Sequence, residues 1–339
     1  MPPVRSVLVD APSSSLRLGE RELPDPGPGE VCVTVEACGI CHSDNAFVAG
    51  LMPDLTFPVT PGHEIAGRIS ALGAGVRGWQ VGDRVAVGWF GGYCTHCTSC
   101  RRGDFVHCEY AQIPGWSYPG GYAHAVVVPA TGLARIPDGM SAVQAAPMAC
   151  AGVTVFGALR AGGARPGDVV AVVGLGGLGH LAVQFAAKSG FDTVAIARGP
   201  GKAEFATRLG ARRYLDSTHQ DVAAELRRIG GAKLVLATAA DSAAMARAVD
   251  GLAPNGRLAV VGISFEPMQI SPLQLITPAR TVYGHPAGAP IDVEDTMAFA
   301  ALTGVSAMVQ EMPLEEAEQA FQRMMANEAR FRIVLTTGA

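Results

Sequence analysis

In "YCTHCTSCRRGDFVHC" the residues Cys94, Cys97, Cys100 and Cys108 follow the spacing C-x2-C-x2-C-x7-C. Four thiolates so spaced suit a closed tetrahedral Zn2+ site, which stabilises a loop with little core of its own. His96 and His107 lie inside the cluster and could replace a thiolate, but the cysteines alone complete the shell. Such a site has no open position and is expected to be structural. A second stretch, "ACGICHSDNAFVAG", gathers Cys38, Cys41, His42, Ser43 and Asp44 and then turns apolar. A catalytic zinc needs three protein ligands and a free position. The candidates for it are Cys41, His63 in "PGHEIAGRISALGAGV", and Cys150 in "APMACAGVTVF".

A third signal is "VVAVVGLGGLGHLAVQFAAKSGF", where Gly174, Gly176 and Gly179, with Gly177 and Leu178 between them, form G-x-G-x-x-G. The motif follows a buried strand and opens a helix, the context in which glycines allow a tight turn and a helix N-terminus meets a pyrophosphate. An NAD site usually ends the next strand on Asp or Glu, for the ribose hydroxyls. Here that strand ends "TVAIARGPGK": Ala197 offers no carboxylate, whereas Arg198 and Lys202 could meet a 2'-phosphate. NADP is therefore favoured over NAD.

These groups need a scaffold. The first 140 residues show short β-rich runs ("SVLVD", "VCVTVEA", "IAGRISAL", "RVAVGWF", "YAHAVVVP") with Gly and Pro punctuation. From about residue 142 the pattern alternates buried strands ("VVAVVG", "TVAIA", "LVLATA", "RLAVVGI") with helices expected at 177–189 and 202–209, the rhythm of a doubly wound parallel sheet. The tail reads as one amphipathic helix with Ala317, Ala320, Phe321 and Met324 on a face, then a strand that returns to the first region. The expectation is an α/β chain with two domains, 1–145 with 289–339 and 146–288. The stretch "MQISPLQLI" reads as a possible interface strand.

A chain of 339 residues exceeds what one core usually supports. The formal charge of -4 gives no electrostatic case for nucleic acid or an anionic membrane, so the expected partner is a small molecule. The N-terminus does not read as a signal peptide, and the longest apolar run, "AVQAAPMACAGVTVFGAL", is interrupted by Gln144, Pro147 and two glycines, against a membrane span. A cytoplasmic location is expected, with the clustered thiols used for metal rather than disulfides. Cys32 and Cys38 read as packing residues. A zinc-ribbon interaction module would explain "CTHCTSC" but neither the acidic balance nor the glycine motif.

Taken in order, "CGICHSD", "GHEIAGRISALGAGV", the four-cysteine lobe, "CAGVTVFGAL" and "GLGGLG" resemble the zinc-dependent alcohol dehydrogenases of the medium-chain dehydrogenase/reductase superfamily, bacterial and cinnamyl-alcohol-dehydrogenase-like members above all. The resemblance covers essentially the whole chain. It implies a GroES-like β-rich catalytic domain beside a Rossmann domain, two Zn2+ per chain, and a homodimer or homotetramer. It makes Cys41, His63 and Cys150 the catalytic zinc ligands, Glu64 an acid that approaches the metal, Asp44 the carboxylate that orients the histidine, and Ser43 the proton-relaying hydroxyl. His42 and Arg332 match positions that meet the cofactor pyrophosphate, while Trp89, Trp116 and Met52 match the substrate pocket, and the apolar turn after Asp44 reads as pocket wall. His285 falls where relatives approach the nicotinamide. The implied reaction is hydride transfer between NAD(P)(H) and a primary or secondary alcohol, aldehyde or ketone, helped by Lewis-acid zinc. A polyol or amino-alcohol dehydrogenase of the same superfamily is the alternative. One departure stands out: many relatives carry a relay histidine two residues after the aspartate, where this chain has Ala46. That leaves the cofactor ribose, a water or His42 as the outward proton route.

Overall fold

In the computed structural model, which describes residues 3–339, the chain divides into two compact units. The first comprises the chain up to Val153 with Ala287–Leu302 and Ala307–Ala339; the second comprises Thr154–Pro286 and Thr303–Ser306.

The first unit is built on a seven-stranded sheet. Its order is Val309–Pro313, Arg332–Thr336, Glu30–Ile40, Glu64–Leu72, Arg84–Val87 and Leu133–Arg135, with Ala125–Pro129 also pairing with Glu30–Ile40. All pairs are antiparallel except Val309–Pro313 with Arg332–Thr336. In the central strand Glu30–Ile40, Val31, Val33 and Val35 have no exposure at all, while the alternate residues Thr34 and Glu36 are half-buried. The register sets Cys38 against Ile65 and Gly39 against Glu64, and two irregularities bend this pair. The tail forms the helix Ala317–Met325, and Ala317, Ala320, Phe321 and Met324 are all buried in the same core as Val33, Ile333 and Leu335. Their i, i+3, i+4, i+7 spacing makes one apolar stripe, in which Phe321 alone is worth about 1.5–3 kcal/mol of burial. The strand Arg332–Thr336 follows and enters the sheet between Val309–Pro313 and Glu30–Ile40.

The second unit is a six-stranded, wholly parallel sheet in the order Arg213–Asp216, Asp192–Ala197, Val169–Val173, Ala232–Ala237, Leu252–Val260, Thr281–Gly284. In chain order within the unit this is 3-2-1-4-5-6, the doubly wound arrangement whose strand order reverses between Val169–Val173 and Ala232–Ala237. The helix expected at 177–189 runs Gly179–Lys188, and that expected at 202–209 runs Ala203–Arg208 after a short 3-10 turn, Pro200–Lys202. Asp221 and Asp241 cap the next two helices by accepting from the N–H groups of Ala224 and Ala244.

Two expectations are corrected here. The "MQISPLQLI" stretch is not a strand: Ser271 and Gln274 make a reciprocal capping box, and Pro272–Ile276 is a helix, because this local start signal outweighs the apolar alternation around it. The apolar run near Cys150 is not broken by its interrupting residues. It is helical throughout 142–161, with a π-helical turn at Met148–Gly152 after Pro147. It is the one helix among the described residues long and apolar enough to cross a membrane, and 78% of its most apolar stretch is buried inside the protein, as a core helix would be.

Candidate active site

Three separate segments of the first unit converge on one point. Cys41 leaves the strand Glu30–Ile40 and His63 enters the strand Glu64–Leu72, so the antiparallel pairing of Gly39 with Glu64 sets them side by side. Cys150 arrives from the π turn Met148–Gly152. Pro147, with no N–H to give, marks the place where the helical hydrogen-bond register changes, and π turns of this kind recur at functional sites. The wall comes close because Gly88 has no side chain: a Cβ there would lie 2.3 Å from the Ala149 carbonyl oxygen.

Donor atoms of Cys41, His63, Glu64 and Cys150 all lie within 4.8 Å of one another. The two sulfurs are 4.0 Å apart, close to the ~3.8 Å that tetrahedral geometry with Zn–S bonds near 2.3 Å requires. His63 is fully buried; its Nδ1 donates to Asp44 Oδ1 at 2.8 Å, and its Nε2 has no hydrogen-bond partner among the described residues. A ring fixed through one nitrogen and left with a buried, unpaired second nitrogen fits a metal ligand. The donor set, two thiols, an imidazole and a carboxylate, fits zinc.

The surrounding charges are arranged to support that set. Donation from Cys150 holds the Cys41 thiol well below its ordinary range, against burial. Burial opposes charge on His63, but the adjacent Asp44 carboxylate raises its pKa well above the usual value. Burial lifts the Glu64 carboxyl to about 7, opposed by the Arg332 guanidinium. Arg332, only 5% exposed at the start of its strand, pairs with Glu64, and Glu64 fits because residue 39 is glycine; a Cβ there would lie 2.0 Å from Glu64 Oε2.

Around this centre, Asp44 begins the short helix Asp44–Val48, and Ser43 precedes it without a side-chain capping bond. Ser43 is half-buried and His42 exposed. The stretch after Asp44, expected as pocket wall, is packed inward: Phe47 has no exposure and Val48 is 5% exposed, because the run forms a helix that buries these side chains rather than an open turn. Trp89 stacks on Phe47 at 5.7 Å and meets the His63 ring edge-on at 5.0 Å. Trp116 Nε1 donates to the Pro53 carbonyl at 2.9 Å and so ties down the loop that carries Met52. Cys32 and Cys38 are buried, each 1% exposed.

The second cluster of the unit is local. Sulfurs of Cys94, Cys97, Cys100 and Cys108 lie within 4.8 Å of one another. Backbone N–H groups of Cys97, Cys100, Cys94 and Tyr110 point at the sulfurs of Cys94, Cys97, Cys108 and Cys108 at 3.3–3.5 Å. Such donors stabilise thiolates, and the amides of Cys100 and Glu109 lower the Cys97 thiol to about 6. Tyr93 and Phe105 stack at 4.4 Å beside the cluster.

In the second unit the glycine-rich loop leaves the strand Val169–Val173 at the point where strand order reverses, the usual ligand crevice of such sheets. Gly174 has φ +98°, and a Cβ on Gly179 would lie 1.9 Å from the Gly174 carbonyl oxygen, so both positions demand glycine. Gly176 faces open space, which leaves its backbone approachable. Thr238 Oγ1 donates to the Val173 and Gly174 carbonyls, and His180 Nδ1 to the Gly176 carbonyl at 3.0 Å, fastening the loop from two sides. Arg198 and Lys202 are exposed beyond Ala197, and Lys202 Nζ reaches the Leu175 carbonyl at 3.2 Å. Asp216 accepts from the Gly199 N–H at 2.8 Å and holds the intervening loop. His285 packs against Gly157, where a Cβ would lie 2.7 Å from its Nε2.

Two residues of consequence are not singled out by the sequence reading. Tyr122, inside the apolar run "GGYAHAVVVP", donates from its hydroxyl to Asp44 Oδ2 at 2.8 Å; burial keeps that phenol protonated by raising its pKa well above 10. Thr238 could have been suspected from its place after "LVLA", at the end of the strand next to the glycine loop.

Comparison with known proteins agrees with this layout. Residues 27–138 match the alcohol dehydrogenase GroES-like domain, and residues 177–302 match the zinc-binding dehydrogenase family. An alcohol dehydrogenase (patD) of Penicillium expansum is 41% identical over 95% of this chain and 94% of its own. The NADP-dependent alcohol dehydrogenase C of Mycobacterium bovis is 34% identical over 93% of each chain. The solved structure of a cinnamyl alcohol dehydrogenase from Sorghum bicolor superposes with TM-score 0.90 at 30% identity, covering 99% of this chain and 98% of that one.

Proposed function

The chain belongs to the zinc-dependent alcohol dehydrogenases of the medium-chain dehydrogenase/reductase superfamily, NAD(P)-dependent oxidoreductases of alcohols and aldehydes, and on that premise we propose residue roles, metal count and cofactor choice. Cys41, His63 and Cys150 hold a catalytic zinc; Cys94, Cys97, Cys100 and Cys108 hold a structural one. The observation that carries the first assignment is His63 Nε2, buried and unpartnered on a ring fixed from behind, among two thiols and a carboxylate. We assign metal and substrate to the first unit and cofactor to the second.

Bound zinc supplies a Lewis acid that lowers the pKa of a substrate hydroxyl, and the nicotinamide takes or returns the hydride. The chain does the rest. Three protein donors are one fewer than zinc's usual four, which leaves room for substrate. The thiolates of Cys41 and Cys150 offset the metal's charge, and Glu64, paired with Arg332, is a carboxylate near enough to join the donor set when substrate is absent. Ser43 Oγ, not used in capping, takes the proton of the substrate hydroxyl and returns it in the reverse direction. With Ala46 offering no base, the exposed His42, adjacent to Ser43 in the chain, is assigned to pass the proton on. Trp89, edge-on to His63, covers the metal side with apolar surface, and Trp116 and Met52 extend the pocket.

Cofactor choice follows from the strand ending at Ala197. No carboxylate stands there for ribose hydroxyls, and Arg198 and Lys202 offer cations suited to a 2'-phosphate, which supports NADP. The mycobacterial relative is NADP-dependent by name. Comparing kcat/KM with NADPH and NADH tests the choice: NADPH is expected to be favoured at least tenfold, and a preference for NADH overturns it. A homodimer or homotetramer is proposed on the unpaired outer edge of Thr281–Gly284 and on Ile263, Phe265, Leu273 and Ile276, which are 65–92% exposed. Six of the eight cysteines are assigned to metal as thiolates, which suits the reducing cytoplasm.

A further inference from the structure

Resting on the reading of Cys41, His63 and Cys150 as a zinc site, we propose that Tyr122 is a positioning residue for that centre, its hydroxyl completing the Asp44 carboxylate that aims His63 at the metal. Asp44 has no exposure, and its carboxylate meets three protein donors. Oδ1 accepts from His63 Nδ1 at 2.8 Å; Oδ2 accepts from the Cys41 N–H at 2.9 Å and from Tyr122 Oη at 2.8 Å. One carboxylate thus orients two of the three proposed ligands, and among the described residues the phenol is the side chain besides His63 that hydrogen-bonds to it.

The phenol itself has no freedom. Tyr122 has no exposure, its N–H donates to the Pro61 carbonyl at 3.0 Å, and its carbonyl accepts from the Val7 N–H at 2.8 Å. The ring occupies a niche that exists because residue 62 is glycine: a Cβ there would lie 2.4 Å from Tyr122 Cδ1 and 2.9 Å from Cys38 Sγ. The residue before His63 therefore makes room for the ring whose hydroxyl, through Asp44, steadies His63. Without the hydroxyl the buried Oδ2 keeps only one amide donor, and a buried carboxylate short of a donor is free to tilt away from both ligands. A residue that merely fills space would lose nothing as phenylalanine.

The test is chelator-driven zinc loss from the full chain, followed with a colorimetric zinc indicator, in the natural protein, in Tyr122→Phe and in Cys38→Ala. The natural protein should lose two zinc ions in two phases. Tyr122→Phe should speed one phase about 10-fold, the low end of what loss of an outer ligand partner costs in metal affinity, and leave the other at its natural rate. Cys38→Ala trims the same niche but keeps the hydroxyl, and should keep both natural rates. The proposal is overturned if Tyr122→Phe loses zinc at natural rates, if Cys38→Ala accelerates the same phase equally, or if Tyr122→Phe speeds both phases, since the hydroxyl would then serve the fold at large. A natural protein that carries one zinc overturns the site reading itself and this proposal with it.

Discussion

The two cysteine-containing clusters of the first unit are held by different means. Cys94, Cys97, Cys100 and Cys108 lie within one short loop, and backbone N–H groups of that loop point at their sulfurs. Cys41, His63 and Cys150 come from three segments, and what holds them is tertiary: the pairing of Gly39 with Glu64, the π turn after Pro147, and side chains such as Asp44, Tyr122 and Arg332. A self-contained cluster can close around its metal and brace a loop. A distributed one can leave a position open, because no single loop has to satisfy it.

The sharpest way to break this contrast is to remove one donor from each. His63→Ala should reduce alcohol oxidation by at least ~10³-fold, since several kcal/mol of Lewis-acid stabilisation are lost, while thermal unfolding moves little. Cys97→Ser should do the reverse in kind, lowering Tm by about 10 °C through loss of a few kcal/mol of metal-coupled folding energy. Activity assays and calorimetry on both variants check this, and equal effects on Tm would erase the distinction. Ser43→Ala should come next, with turnover down by about 10²-fold and metal content unchanged. Unchanged turnover would remove Ser43 from the chemistry. The smallest expected effect is that of Gly39→Ala. A methyl group 2.0 Å from Glu64 Oε2 must displace that carboxylate, at about 1–3 kcal/mol by denaturant unfolding, without touching the four-cysteine lobe.

The same contrast explains what could be read from the chain itself. The cysteine lobe was legible because its spacing is local, and the parallel sheet because "VVAVV" and "TVAIA" are unbroken apolar runs buried on both faces. The tail helix was legible from the spacing of Ala317, Ala320, Phe321 and Met324. The π turn was not: Pro147 signals an interruption but not which hydrogen-bond register follows it. Tyr122 reads as ordinary core because the partner of its hydroxyl lies 78 residues away. Phe47 and Val48 were misread as pocket wall since an apolar stretch looks alike whether it faces a cavity or the core. In "MQISPLQLI" a start signal was present, with Ser271 three residues before Gln274, and the surrounding apolar alternation masked it.

The central claim, that one chain holds a closed and an open zinc site built in these two ways, is tested most directly by counting zinc per chain in the purified natural protein, His63→Ala and Cys97→Ser by elemental analysis. The expected result is two, one and one, with the ion remaining in His63→Ala in the cysteine lobe and that remaining in Cys97→Ser at Cys41, His63 and Cys150. One zinc in the natural protein, or two in His63→Ala, would contradict the account.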